Sequence, residues 1–204
     1  MMKRLVLAAL LCAAVLATPA AWASPVPAQR VVLAGGCFWG MQAVFERLRG
    51  VTSVVAGYSG GGAATAHYEI VSTGLTGHAE SVEITYDPAA ISFAQILDVY
   101  FLIAHDPTEL NRQGPDYGSQ YRSEIFFTTE QQRHTAVATI ASLERRHVFG
   151  SRIVTQVAPL RAFYPAEAYH QDFVAHHPDD AYVVINDLPK LHTLAVRFPS
   201  LVKH

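Results

Sequence analysis

Cysteine is almost missing from this 204-residue sequence, which holds only Cys12 and Cys37. Two such residues, one of them near the N-terminus, exclude a disulfide scaffold and a cysteine-based zinc site. Basic excess is missing as well. Long apolar runs are scarce, and the one near the start, Leu5 to Leu16, is too short to read comfortably as a membrane anchor. No internal repeat or low-complexity tract occurs. The Gly60-Gly61-Gly62 loop has neither the spacing of a phosphate cradle nor a following Lys-Ser or Lys-Thr, so it reads as a turn or a substrate-side loop.

The N-terminal segment reads as a targeting signal. Lys3 and Arg4 precede the apolar run, and Pro19 and Ala21-Trp22-Ala23 follow it before Ser24, which is the pattern of a secretory signal peptide spanning residues 1–23. A lipoprotein signal fits less well, because Leu10 and Leu11 precede Cys12 where a small residue is expected. The expectation is an exported protein, periplasmic or secreted, whose mature chain is 24–204 and has no stable membrane insertion. Removing Lys3 and Arg4 lowers the basic count from 15 to 13 against 17 acidic residues, a net charge of −4 that offers no footprint for nucleic acid. It also leaves Cys37 as the sole thiol of the mature chain.

What is present suits one globular domain: half of the residues are hydrophobic and 16% are charged. Arg30 to Ala34 reads as a buried strand feeding a helix over Phe38 to Leu48, and Val51 to Tyr58 reads as a second strand. Between Ala79 and Tyr86, Val82, Ile84 and Tyr86 alternate with polar residues, the period of a half-buried strand. Ser92 is placed to cap a helix over Phe93 to Ala104, which His105-Asp106-Pro107 ends. Thr108 to Tyr121 is a long polar loop, a feature usually kept for function. A strand at Glu124 to Phe127, a helix from Thr129 to about His147 and a last strand at Arg152 to Val157 follow. Pro165 to Ala175 and Leu188 to Phe198 read as helical or irregular packing on the outside. The sum is an α/β domain with a small mixed sheet flanked by helices, and a cysteine in the first turn of its first helix. There, unpaired backbone N–H groups and the helix dipole favour a thiolate.

Four groups of residues stand out: Gly36 to Gly40, Tyr68, Gly77 to Glu80, and Asp116 to Arg122. In these the sequence resembles the type A peptide methionine sulfoxide reductases. The Gly-Cys-Phe-Trp-Gly signature of that family stands at Gly36 to Gly40, and its Thr-Gly-His-Ala-Glu run stands at Thr76 to Glu80. His105 to Thr108, Asn111 to Gly114, Gln120 to Ser123 and Tyr169 to Gln171 match further motifs in the same order, so the resemblance covers about residues 30–190. It implies a peptide-methionine (S)-S-oxide reductase that repairs methionine sulfoxide, in proteins or free, after oxidative stress. Cys37 would be the nucleophile and Glu80 the acid. Tyr68 and Tyr121 would donate hydrogen bonds to the sulfoxide oxygen, Phe38 and Trp39 would wall a pocket for the S-methyl group, and Asp116 would help hold the substrate. The further expectation is a monomer with no cofactor and no metal, needing an external thiol reductant such as a thioredoxin-like protein or glutaredoxin with glutathione.

Two departures from the family pattern matter. Many relatives carry C-terminal cysteines that resolve the sulfenic acid, and this chain has none after Cys37. Gln42 stands where the family commonly has Glu, which either alters the site's proton network or is only a helix-surface contact. Two other readings of Cys37 stay open at this point. One is a hydrolase nucleophile paired with His78 or His170. The other is a structural residue of a non-catalytic module that binds methionine-rich segments.

Overall fold

The computed structural model describes residues 27–203, so the expected signal peptide lies outside the described residues. The chain builds one six-stranded sheet from β1 (Gln29–Ala34), β2 (Val51–Ser59), β3 (Ala79–Tyr86), β6 (Glu124–Phe127), β7 (Gln156–Pro159) and β8 (Phe163–Pro165), in the order β7-β6-β1-β3-β2-β8. A two-residue hairpin, β4 (Arg112–Gln113) with β5 (Asp116–Tyr117), stands apart from it. Only β6 and β7 run parallel, so the sheet is mixed, as the sequence predicts.

The unbroken apolar run of β1 has a reason. Val31 and Leu33 enter the main core, while Val32 and Ala34 join a smaller cluster with Ala79 and Phe126. Because successive side chains alternate between faces, a strand covered on both sides needs apolar residues at every position. Helix α1 (Phe38–Glu46) lies on β2 and β3 and buries Phe38, Met41, Val44 and Phe45. Taking each of these side chains out of water stabilises the fold by about 1.5–3 kcal/mol.

Helix α3 (Phe93–Val99) starts where predicted: Ser92 and Gln95 form a reciprocal capping box. It continues through a wide π turn at Tyr100–Ala104, and His105 then leaves it in an extended conformation. Thr129 caps α4 (Glu130–Arg145), which stops short of His147. The other helices are α2 (Tyr68–Val71), α5 (Phe173–His176) and α6 (Leu188–Arg197), the last entered through a π turn at Val183–Asp187.

Two local expectations need correction. The last predicted strand, Arg152 to Val157, sits later, at Gln156–Pro159. The preceding residues serve as a connector, and Val154 N–H there donates to Pro107 C=O at 2.8 Å. The segment from Pro165 to Ala175 is not merely outer packing. β8 pairs with β2 at its start, and His170 and Val174 are buried. The polar loop at 108–121 is tightly organised: Gln113 both accepts from Asp106 N–H and donates to Asp106 C=O, at 2.9 and 3.0 Å. Among the described residues no helix is long and apolar enough to cross a membrane.

Candidate active site

The site is built where β1 turns into α1. Gly36 makes that turn at φ +92, and a side chain there would meet Gln113 at 2.5 Å, so both the backbone angle and the space call for glycine. Cys37 is the N-cap of α1 rather than a residue of its first turn. Its half-buried side chain opens into a pocket of about 210 Å³ that Phe38, Trp39, Tyr68, Glu80, Asp116, Tyr121 and Tyr182 also line. All seven residues singled out in the sequence therefore meet in one cavity, from four separate segments. Tyr182 is the eighth, and the sequence reading missed it.

Glu80, on β3, has almost no solvent exposure and accepts the Phe38 backbone N–H at 3.1 Å. Burial pushes its carboxyl up to about 8; Phe38 N–H opposes this and the nearby Asp116 adds to it. Glu80 is thus a carboxylic acid at neutral pH. The Cys37 thiol is also pushed well above its usual value, first by burial and next by Glu80, while Trp39 N–H pulls the other way. The expectation of a resting thiolate fails here for a physical reason: the helix terminus does favour the anion, but loss of water and the surrounding carboxyls outweigh it.

The phenols remain donors. Burial raises Tyr68, Tyr121 and Tyr182 above the ordinary tyrosine value, with the Glu80 charge next for Tyr68 and Tyr121 and the Cys37 charge next for Tyr182. Tyr182 donates to Asp116 Oδ2 at 2.5 Å, which fixes that carboxylate at the pocket edge. Tyr68 is set by Glu167, which accepts from its backbone N–H at 3.0 Å and from Tyr58 O–H at 2.8 Å. Tyr182→Phe removes the donor to a half-buried carboxylate. We expect it to lower unfolding free energy by about 1–2 kcal/mol, read from urea denaturation, since water replaces part of the lost bond. An unchanged midpoint would detach Tyr182 from Asp116.

Trp39 is clamped on three sides. It stacks on Phe173 with ring centroids 3.6 Å apart, meets Tyr182 edge-on and donates Nε1–H to His170 Nδ1 at 3.1 Å. His170 also packs against Phe38 and Tyr68. The Tyr169-His170-Gln171 motif was the available signal for this support, and its placement in the outer layer hid it. Gln42 is likewise no surface residue. Its amide donates to Val54 C=O at 3.1 Å and accepts from Asp172 N–H at 2.9 Å, tying α1 to the segment that carries His170. A carboxylate at 42 would face the Val54 carbonyl with a second acceptor.

The histidines proposed as hydrolytic bases are occupied elsewhere. His78 accepts from Gly61 N–H and pairs with Gly62 C=O, closing the glycine loop. His170 Nδ1 is taken by Trp39. His105, expected as a support beside the site, hydrogen-bonds Tyr100 C=O and Ser123 inside the core. Among the described residues no histidine hydrogen-bonds Cys37, so the hydrolase reading has no base.

A cysteine, a buried carboxyl and a set of phenols share one narrow pocket, which places a sulfur nucleophile within reach of several proton donors. Comparison with known proteins carries this further. A family model described as peptide methionine sulfoxide reductase matches residues 29–199. A Synechocystis protein named peptide methionine sulfoxide reductase MsrA 2 is 51% identical over 175 residues, covering 86% of this chain and 82% of its own length. A Mesorhizobium japonicum protein of the same name is 50% identical, covering 85% and 89%. The crystal structure of yeast Mxr1 in reduced form superposes with a TM-score of 0.68 at 31% identity, covering 74% of this chain and 87% of that one. The chain belongs to the peptide methionine sulfoxide reductases of type A, and it is an oxidoreductase.

Proposed function

We propose that the protein reduces the S epimer of methionine sulfoxide in peptides, and free methionine sulfoxide as well, with Cys37 as nucleophile and Glu80 as acid. The observation that carries this reading is the Glu80 carboxyl, buried and held on Phe38 N–H beside Cys37. A sulfoxide sulfur becomes electrophilic only when its oxygen is protonated or strongly hydrogen-bonded. Glu80 supplies that proton. The Tyr68 and Tyr121 hydroxyls, which make no hydrogen bond to another described residue, are free to donate to the same oxygen. Phe38 and Trp39 take the S-methyl end, and Asp116 holds the substrate backbone.

In the resting pocket Cys37 is a thiol. Its proton leaves as the sulfur attacks, and the polarised sulfoxide draws the electron pair. The substrate sulfur gains two electrons and departs as methionine; the Cys37 sulfur loses two and keeps an oxygen as sulfenic acid. Two equivalents of an external thiol then return Cys37 to the thiol, giving one disulfide and one water. With no later cysteine in the chain, that reductant has to reach Cys37 itself, as thioredoxin-like protein, glutathione with glutaredoxin, or a small dithiol. In the exported setting that residues 1–23 suggest, the substrates are oxidised proteins of that compartment and the enzyme acts as a monomer.

A racemic methionine sulfoxide peptide with dithiothreitol tests this. Consumption should stop at half of the substrate, with only the S epimer lost. No epimer-selective loss would overturn the reading. Running the assay with thioredoxin, with glutathione and glutaredoxin, and with small dithiols identifies the reductant class.

A further inference from the structure

Ala34, Gly35 and Gly36 lead from β1 to Cys37, and each is held by a side chain from the single segment 100–113. Ala34 C=O accepts the Tyr100 hydroxyl at 2.7 Å. The His105 ring lies against Gly35, where an added Cβ would fall 2.8 Å from its Cγ, and Gln113 lies against Gly36 in the same way. Gly35, unlike Gly36, is outside the left-handed region, so it is the imidazole that leaves no room for a side chain there.

These three braces are joined to one another. His105 Nδ1 meets Tyr100 C=O at 2.9 Å; a carbonyl only accepts, so Nδ1 carries the proton and Nε2 accepts from Ser123 Oγ at 2.7 Å. Burial keeps the imidazole neutral, holding it down at about 4. Ser123 Oγ in turn meets the Tyr100 hydroxyl at 2.9 Å and Thr155 Oγ1 at 2.7 Å. Asp106, next in the chain, is gripped through its backbone N–H and C=O by the Gln113 amide. Tyr100, His105 and Gln113 thus form one connected frame. A satisfied buried network rigidifies what it holds, and what this one holds is the approach to Cys37. On the far side of Cys37, Phe38 N–H is already fixed on Glu80. The nucleophile is the single residue between the frame and the acid.

We propose that His105 and Gln113 are positioning residues for the reaction: with Tyr100 they fix the turn from Ala34 to Gly36, and thereby set the Cys37 sulfur beside Glu80. Neither lines the pocket, so they act through Cys37 and not on the substrate. The role rests on Cys37 being the reacting group. The test is a single turnover of the full chain without reductant, where the amplitude counts competent sites and the rate constant reports their geometry. His105→Phe keeps a ring against Gly35 and removes both hydrogen bonds. Gln113→Met keeps the packing on Gly36 and the backbone pairing with Asp116, and removes the grip on Asp106. Each variant should keep the wild-type amplitude and half-saturating substrate concentration and lose about tenfold in rate, within the roughly 10²-fold that a ~1 Å misplacement costs. Alkylation of Cys37 by iodoacetamide, followed without substrate by mass spectrometry of its peptide, should speed up about fivefold, the effect of one lost hydrogen bond on local opening. A merely structural role would lower the amplitude or the melting temperature and leave both rates of the folded chains unchanged; that result overturns the proposal. Should His105→Phe fail to fold, Gln113→Met, at a half-buried loop position, decides by the same two rates. A wild-type chain that releases no methionine would overturn the functional reading instead, and the alkylation rates alone would then decide whether the frame sets Cys37.

Discussion

Cys37→Ser will lose turnover altogether, a drop of at least roughly a thousandfold, on the scale seen when a covalent nucleophile is removed. The loss is absolute for a chemical reason. Sulfur can give up two electrons and carry the substrate's oxygen away as a sulfenic acid, whereas a hydroxyl has no corresponding oxidised state within reach. Serine is also close in size, so the half-buried position at the start of α1 tolerates it and the fold persists. The check is a single turnover without reductant. The wild-type chain should release about one methionine per Cys37 and stall, and the variant should release none. Activity surviving in the variant would remove Cys37 from the nucleophile role.

Glu80→Gln is the second large effect. A positioned general acid contributes typically about 10²–10⁴ in rate, and the amide keeps the shape and the bond from Phe38 N–H while losing the proton. The expected fall in kcat/KM of about a hundredfold or more corresponds to roughly 2.7 kcal/mol of barrier. The pH dependence is the sharper measurement. Glu80 works in its protonated form, and burial holds it protonated up to about 8. Wild-type kcat/KM should therefore decline as pH rises through that value, and the variant should show no such decline. A wild-type profile that stays level there, or a variant that keeps the same alkaline limb, would assign the proton to another group.

Much of this was legible in the sequence because the chemistry is carried by residue types in short local patterns. The run Val31 to Ala34 before two glycines and Cys37 gives the strand, the turn and the helix start from local rules alone. Ser92 with Gln95, and Thr129 with Gln132, announce their helices in the same way. What escaped was set by partners distant in the chain. β8 is three residues long and owes its existence to pairing with β2, about a hundred residues earlier. Tyr182 enters the site only because a π turn and α6 bring it back over α1, and its partner Asp116 is 66 residues away. The protonation of Cys37 was missed for a related reason: a helix end is local, whereas desolvation and the carboxyls of β3 and of the 187 region are tertiary. Gln42 shows the same limit, since nothing adjacent to it says that Asp172 and Val54 will close on its amide.

The sheet order has one further consequence. β3 lies between β1 and β2; Glu80 pairs with Tyr58 of β2 near the start of β3, and β1 delivers Cys37 from the neighbouring position. Asp116, Tyr121 and Tyr182 come instead from short turns and a two-residue hairpin outside the six-stranded sheet. Local opening energies in a protein range from near zero to the full unfolding free energy. The reacting pair is thus anchored on neighbouring strands inside the sheet, and hydrogen exchange should find the segments that carry Asp116, Tyr121 and Tyr182 opening before β1 and β3.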